Sequence, residues 1–368
     1  MFSLSRWKTT NSRAPNKHLN RTLHLSMKID TYINPELIKI PTQVYHLESE
    51  GFNGVLTAET RNDPFLPLSV AALHTSKMEL ITSIAVAFAR TPMTLAYVAH
   101  DLQVASQGRF ILGLGSQIRA HITRRFGMPW SEPAQRMKEF ILALRAIWNS
   151  WYEGTRLQFR GKYYQHTLMT PFFSPTNTQF GCPQIYLAAV GPQMTEVAGE
   201  VADGLIVHPF MTEEYLRNTT LPALKRGWSK GDRNPHSFAI SYPIFVVSGS
   251  RNMDTSALKQ EVKKQLAFYG STPEYLGVLE SVGLEDLHQQ LHHLSKQSKW
   301  QDMADLISDD VMHKFVVEAT PDELAAQLKK QFGDVVTRMN FDTSVRNKAV
   351  RMQVIQQLTC SSISHFNK

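Results

Sequence analysis

Four segments of this chain set small, polar or titratable residues at or beside the end of a short apolar run, where an α/β fold can present them to a ligand. The first is Gly108-Arg109-Phe110-Ile111-Leu112-Gly113-Leu114-Gly115-Ser116-Gln117. Its glycines either let a flat ring or a phosphate approach the backbone closely or only ease a turn. The second, Ala188-Ala189-Val190-Gly191-Pro192-Gln193-Met194-Thr195, reads as a strand end, a Gly-Pro turn and a helix start. Backbone N–H groups at a helix N-terminus favour an anion, which makes this the best phosphate site in the chain. It is not a P-loop, because the Gly-Lys-Ser/Thr ending is absent. The third, Ala202-Asp203-Gly204, leads into a run that ends at His208-Pro209. His208 there is either a group facing the cavity or its rim, or a buried, satisfied histidine. The fourth runs from Thr82 to Pro92 and by pattern is an ordinary buried strand.

The elements that must position these residues follow a repeated rhythm. Short apolar, β-branched runs alternate with helical patterns from Lys28 almost to the end, as in parallel βα units. Strands are expected at 29–33, 54–58, 80–86, 110–114, 185–189, 204–208 and 238–247, with an eighth at 335–341. Helices are expected at 36–50, closed by Gly51, then at 64–75, 92–106, 194–201, 213–226 and 345–358. A long helix from Ser131-Glu132-Pro133 to about Trp151 carries Met137, Ile141, Leu144 and Trp148 on one face. Residues 154–183 break the rhythm, as a hairpin or excursion would. Residues 253–333 are helix-rich and longer than one connection needs, which reads as an insertion on the rim between strands seven and eight. Eight units in one direction predict an α/β fold of the (β/α)8 TIM-barrel type, a single domain over 27–360 with its ligand site at the carboxyl ends of the strands. A dinucleotide-binding sheet would want a GxGxxG turn after the first strand, where Ile33 is followed instead by Asn34-Pro35-Glu36.

Composition narrows the function classes. The net charge of +7 sits mostly in the first 26 residues, where Arg6, Lys8, Arg13, Lys17 and Arg21 meet no acid. From Met27 onward 34 basic residues face 32 acidic ones, so the body offers no basic stripe for nucleic acid. The leader lacks an apolar central run and is expected to be a disordered extension. No apolar run approaches the roughly 20 residues that cross a bilayer. Cys182 and Cys360 form no CxxC pair, which argues against a disulfide framework or a zinc ribbon and fits a reducing cytoplasm. His288, His292 and His293 have a metal-like spacing but no HExxH glutamate, and no metal is expected.

The string from Arg90-Thr91-Pro92 through Gly108-Arg109-Phe110, Leu112-Gly113-Leu114-Gly115 and Ala202-Asp203-Gly204 resembles the luciferase-like flavin-dependent oxidoreductase family. Arg125-Phe126-Gly127-Met128-Pro129-Trp130-Ser131 and a Pro-rich approach to the fifth strand are similar to its F-420-dependent branch. The resemblance implies a bulge late in the third strand, often with a non-proline cis peptide, that backs the cofactor ring. Counting back from Arg90-Thr91-Pro92 puts that bulge at Ser83-Ile84. It further implies that Ala189, Val190, Gly191, Pro192, Gln193 and Met194 hold the phosphate tail, and that Ser116 and Gln117 touch the cofactor.

This chain also departs from the family pattern. Ser116 stands where luciferases carry an arginine and sugar-phosphate dehydrogenases of the group a glutamate, and Glu59-Thr60 replaces a common Glu-His. Neither aldehyde luminescence nor glucose-6-phosphate oxidation therefore carries over. Glu59 keeps two readings: an acid or base if partly desolvated, or a partner for a backbone donor or Arg61. The expected activity is hydride transfer between bound coenzyme F-420 and a small alcohol, carbonyl compound or activated alkene, with Glu59 and His208 as candidate catalytic groups. The alternatives are an FMN-dependent monooxygenase fed by a separate flavin reductase, and a non-catalytic flavin-binding relative. The resemblance also implies a homodimer; no nucleic-acid or membrane partner is expected.

Overall fold

The structure, a computed structural model, describes residues 27–249, 254–340 and 347–360, and the basic leader lies outside them. Eight parallel strands form the barrel: β1 Lys28–Tyr32, β2 Gly54–Thr57, β3 Glu79–Thr82, β4 Phe110–Gly115, β5 Gln184–Ala189, β6 Gly204–Val207, β7 Ala239–Pro243 and β8 Arg338–Asn340. Each pairs with the next and β8 pairs back to β1, so closure leaves no barrel edge exposed. The outer layer is α1 Ile40–Glu50, α2 Phe65–His74, α3 Pro92–Ala105, α4 Pro133–Tyr152, α5 Pro192–Val201, α6 Leu221–Gly231, α7 Pro321–Phe332 and α8 Lys348–Thr359. Proline opens α3, α4, α5 and α7, where its fixed φ suits the first turn and its missing N–H costs nothing. Gly51 ends α1 at φ 94°, a left-handed cap that glycine adopts without a Cβ clash.

Side chains alternate across each strand, so every second residue points into the barrel. At its base Asp30 and Arg338, 0% and 2% exposed, make a two-pronged ion pair at 2.7 and 2.9 Å, and Arg338 also meets Glu79. Above them Leu56, Ile81, Ile111, Tyr186 and Ile206 fill the interior. Burying each such aliphatic side chain stabilises the fold by roughly 1.5–3 kcal/mol. The interior is thus a packed core rather than a pore, and in this fold a ligand site belongs at the carboxyl ends of the strands.

Three expectations need correction. The apolar run at 238–247 is two strands: β7 stops at Pro243, and Phe245–Ser248 leaves the barrel to pair with Val316–Ala319. The insertion expected at 253–333 accordingly ends before Pro321, because its last stretch, Pro321–Phe332, is α7 of the barrel's outer layer. The helix expected at 213–226 is broken by a π turn, Leu216–Thr220, and runs on as α6 to Gly231. The excursion after α4 does contain a short hairpin, Phe159–Arg160 with Gln165–His166.

Candidate active site

A break in β3 shapes the mouth. Ile81 pairs with Ile111, yet beyond the break Ala85 pairs with Leu114, so four steps along β3 match three along β4. The extra residue is a β-bulge at 82–84. The Ser83–Ile84 peptide within it is cis, at the place the family resemblance assigned. Neighbouring strands hold this backbone closely. Ser83 N donates to Thr57 O at 2.6 Å, Tyr32 Oη to Ser83 O at 3.3 Å, and Glu59 N to Ile84 O at 3.1 Å. Thr82 Oγ1 bridges the gap in the ladder, donating to Gly113 O and accepting from Gly113 N, both at 2.8 Å. A Cβ at residue 113 would stand 1.7 Å from Thr82 O, so the close approach demands glycine. Ile84 lies beside Gly115 and over the interior cluster, and with Ser83 it makes a partly exposed shelf.

Glu59 is 8% exposed, and its Oε2 accepts from Val86 N at 2.7 Å and from Arg90 Nη1 at 2.6 Å. Its carboxylate therefore clamps the far side of the bulge. Of its two readings, the geometry supplies the backbone donor, with Arg90 in place of Arg61.

Ser116 and Gln117 follow β4 directly and are both partly exposed. Ser116 Oγ donates to Gln117 O at 3.1 Å, while Gln117 adopts φ 57°. The loop continues through Arg119, Arg124 and Arg125, all exposed, and Arg125 Nη2 ties it to Thr60 O at 2.6 Å. Across β5, α5 starts at Pro192, two residues before the expected Met194. Among the described residues no side chain caps it, and a Cβ at Gly191 would meet nothing within 4 Å. Pro192 has no N–H, which leaves those of Gln193 and Met194 at the helix end. Ala189 is buried beneath, and Tyr215 Oη donates to Val190 O at 3.3 Å.

Alternation from Gly204 and Ile206 turns His208 inward at the end of β6. Its Nδ1 accepts from Phe210 N at 3.1 Å, which places the ring proton on Nε2, 3.1 Å from Tyr275 Oη. The ring is packed between Tyr275 and Tyr269, with centroids 4.4 and 4.7 Å away. Burial drops its pKa to about 4, so it is neutral at physiological pH. On β8 the inward Asn340 is 3% exposed, and its Oδ1 has no hydrogen-bond partner among the described residues. Sequence reasoning missed Tyr275 and Asn340. Inward parity on the eighth strand could have found Asn340, whereas no motif marks Tyr275.

Other flagged groups are structural. His288 and His292 point Nδ1 at Gly270 O and Ser271 O, 2.7 and 3.0 Å away. Among the described residues no group of three or more His, Cys, Asp or Glu could hold a metal, and no helix is long and apolar enough to cross a membrane.

A closed (β/α)8 barrel with a bulged third strand, a glycine-lined fourth and an uncapped helix after the fifth defines a class of mouth-sited barrel proteins. The family model for luciferase-like monooxygenases matches residues 23–338, and the chain belongs to that family. It is 47% identical over 313 residues to an uncharacterised protein of Mycobacterium tuberculosis, covering 85% of this chain and 92% of that one. It is 29% identical over 244 residues to an F420-dependent glucose-6-phosphate dehydrogenase of Beutenbergia cavernae, covering 66% and 68%. The solved structure of a coenzyme F420-dependent tetrahydromethanopterin reductase from Methanopyrus kandleri shares the fold, with TM-score 0.72, 20% identity and coverage of 93% and 99%.

Proposed function

We propose that this chain is an F420-dependent oxidoreductase that moves a hydride between the bound deazaflavin and a small organic molecule at the barrel mouth. The observation that carries this reading is the bulge, which turns Ser83 and Ile84 up as a partly exposed shelf beside Gly115. Such a shelf suits the face of a flat ring. The other donor groups fit the rest of the cofactor. The uncapped start of α5, with Gly191 facing open space, suits a phosphate. The exposed Arg119, Arg124 and Arg125 add positive charge on the loop after β4. The relative with F420 in its name favours deazaflavin over FMN.

When bound, the deazaflavin supplies a two-electron carrier that exchanges hydride at a ring carbon. The chain's own residues position and shield. Glu59 and Arg90 fix the shelf from behind, so Glu59 acts as a positioning residue rather than an acid or base. Ser116 and Gln117 border the shelf just after β4, and residues 189–194 bind the tail. The structure gives His208 no free nitrogen, so its contribution is made through Tyr275.

Titrating the full chain separately with F420 and with FMN, followed by fluorescence quenching, tests the reading. Binding of F420 alone is the expected result. Binding of FMN alone would replace it with a monooxygenase fed by a separate reductase, and binding of neither would remove the site.

A further inference from the structure

The His208–Tyr275 contact has a direction. Because Phe210 N donates to His208 Nδ1, the remaining ring proton is on Nε2 and Tyr275 Oη must accept it. The phenol's own hydrogen then has no partner among the described residues. Tyr275 is partly exposed, and burial holds its pKa above the usual tyrosine range, so the hydrogen stays in place. Its position is equally specific. It ends the insertion turn Pro273–Tyr275, stacked on an inward-facing residue of the mouth. The helix that follows, Leu276–Glu280, packs at Gly277 near Tyr215, whose hydroxyl reaches Val190 on the phosphate loop. A neutral O–H donor, its oxygen held by a neutral histidine, is thus fixed at the end of β6.

We propose that Tyr275 hydrogen-bonds the oxygen on the substrate's reacting carbon, with His208 as its positioning residue, so that the substrate pair is a carbonyl compound and its alcohol. The proposal rests on the oxidoreductase reading and narrows its substrate class, setting activated alkenes aside. Reduction of a carbonyl needs a hydride at carbon, from the reduced deazaflavin, and a proton at oxygen. Tyr275 supplies the proton: its O–H bond breaks as the product O–H forms, His208 Nε2–H stabilises the tyrosinate, and solvent returns the proton. Oxidation of the alcohol runs the same transfers in reverse and begins with loss of the Tyr275 proton to solvent, so that the tyrosinate held by His208 Nε2–H can take the alcohol's proton.

The test needs neither turnover nor cofactor. The probe is 4-dimethylaminocinnamaldehyde, a neutral dye whose absorption moves to longer wavelength when its carbonyl oxygen accepts a hydrogen bond. The full chain should bind the dye with a red shift, and Tyr275→Phe should lose that shift and weaken binding ~3- to 10-fold, the loss of one hydrogen bond. Placing 3-fluorotyrosine at position 275, a stronger donor, should deepen the shift, which keeps the test decisive even if Tyr275→Phe folds poorly. No shift with the natural chain, or an unchanged shift in a folded Tyr275→Phe, overturns the proposal. F420 titration of the same proteins separates the two readings: Tyr275→Phe should bind F420 as the natural chain does, and failure of both to bind F420 would count against the cofactor reading while the dye result still stands.

Discussion

His208 and Glu59 are both titratable groups taken out of water beside the mouth, and their partners separate their fates. The ring of His208 is faced by Tyr269 and Tyr275, and desolvation alone lowers its pKa from 6.5 to about 4. Between those values the unfolded chain binds a proton that the folded chain excludes. The stabilising contribution is therefore whole above pH 6.5 and is lost as pH falls toward 4, by about 2 kcal/mol after discounting partial exposure. Urea melts at fixed pH should show this acid limb, and His208→Gln should flatten it; an equal slope in both proteins would count against the assignment. Glu59 instead has a backbone donor and a guanidinium to satisfy it. Removing it leaves Val86 N without its acceptor and leaves Arg90, which is 22% exposed, with only Asp63 and Val86 O, so Glu59→Ala should cost about 1–3 kcal/mol. Glu59→Gln keeps an acceptor for Val86 and should retain most of the F420 affinity. Loss of turnover in Glu59→Gln, with stability and binding intact, would restore it as an acid or base. Neither outcome was legible from Glu59-Thr60 in sequence, because the decisive partners lie 27 and 31 residues away.

At the scale of elements, periodicity located all eight barrel strands to within a few residues, because two-residue and 3.6-residue patterns are local properties. It could not locate the bulge. A bulge is a mismatch of register between two strands, and only the family resemblance pointed to Ser83-Ile84. The same limit explains the run at 238–247. Its residues are apolar except Ser241, but which partner each half takes, β8 or Val316–Ala319, is a non-local fact. The bulge makes a strict demand on β4 that the sequence did show, as Leu112-Gly113-Leu114-Gly115. Gly113→Ala would press a methyl into Thr82 O, with no flexible side chain to give way. It should lower the melting temperature and destabilise by about 1–3 kcal/mol through overpacking, and F420 affinity should fall with it because the shelf moves. Gly191→Ala is the control at the opposite wall: its Cβ meets open space, so stability should be kept. Equal destabilisation by the two changes would show that the bulge is not the constrained feature.

For the whole molecule, an apolar face lies open on the outside of the barrel. Ile38 and Tyr45, on the turn before α1 and on α1, are 89% and 68% exposed, and Leu66 and Leu73 on the neighbouring α2 are 57% and 75% exposed. In sequence α2 is apolar almost all round, which periodicity reads as a fully buried helix. The fold buries only the side that carries Phe65, Leu68, Ala71 and Ala72. A cluster of large apolar residues left in water favours association, and in a two-fold dimer the same patch on both copies would cover it. We propose that this face joins two copies of the chain. A stable pair needs about 800 Å² per partner, so the contact would have to extend over both helices and their flanking turns. The measurement is sedimentation velocity on the full chain at micromolar concentration, where a dimer is expected. Replacing Leu66 and Leu73 together by Glu puts two charges on the face without touching the core, so it should yield monomers with an unchanged melting profile below the dimer transition. A natural chain that sediments as a monomer, or a doubly charged variant that remains dimeric, would place the contact elsewhere or remove it.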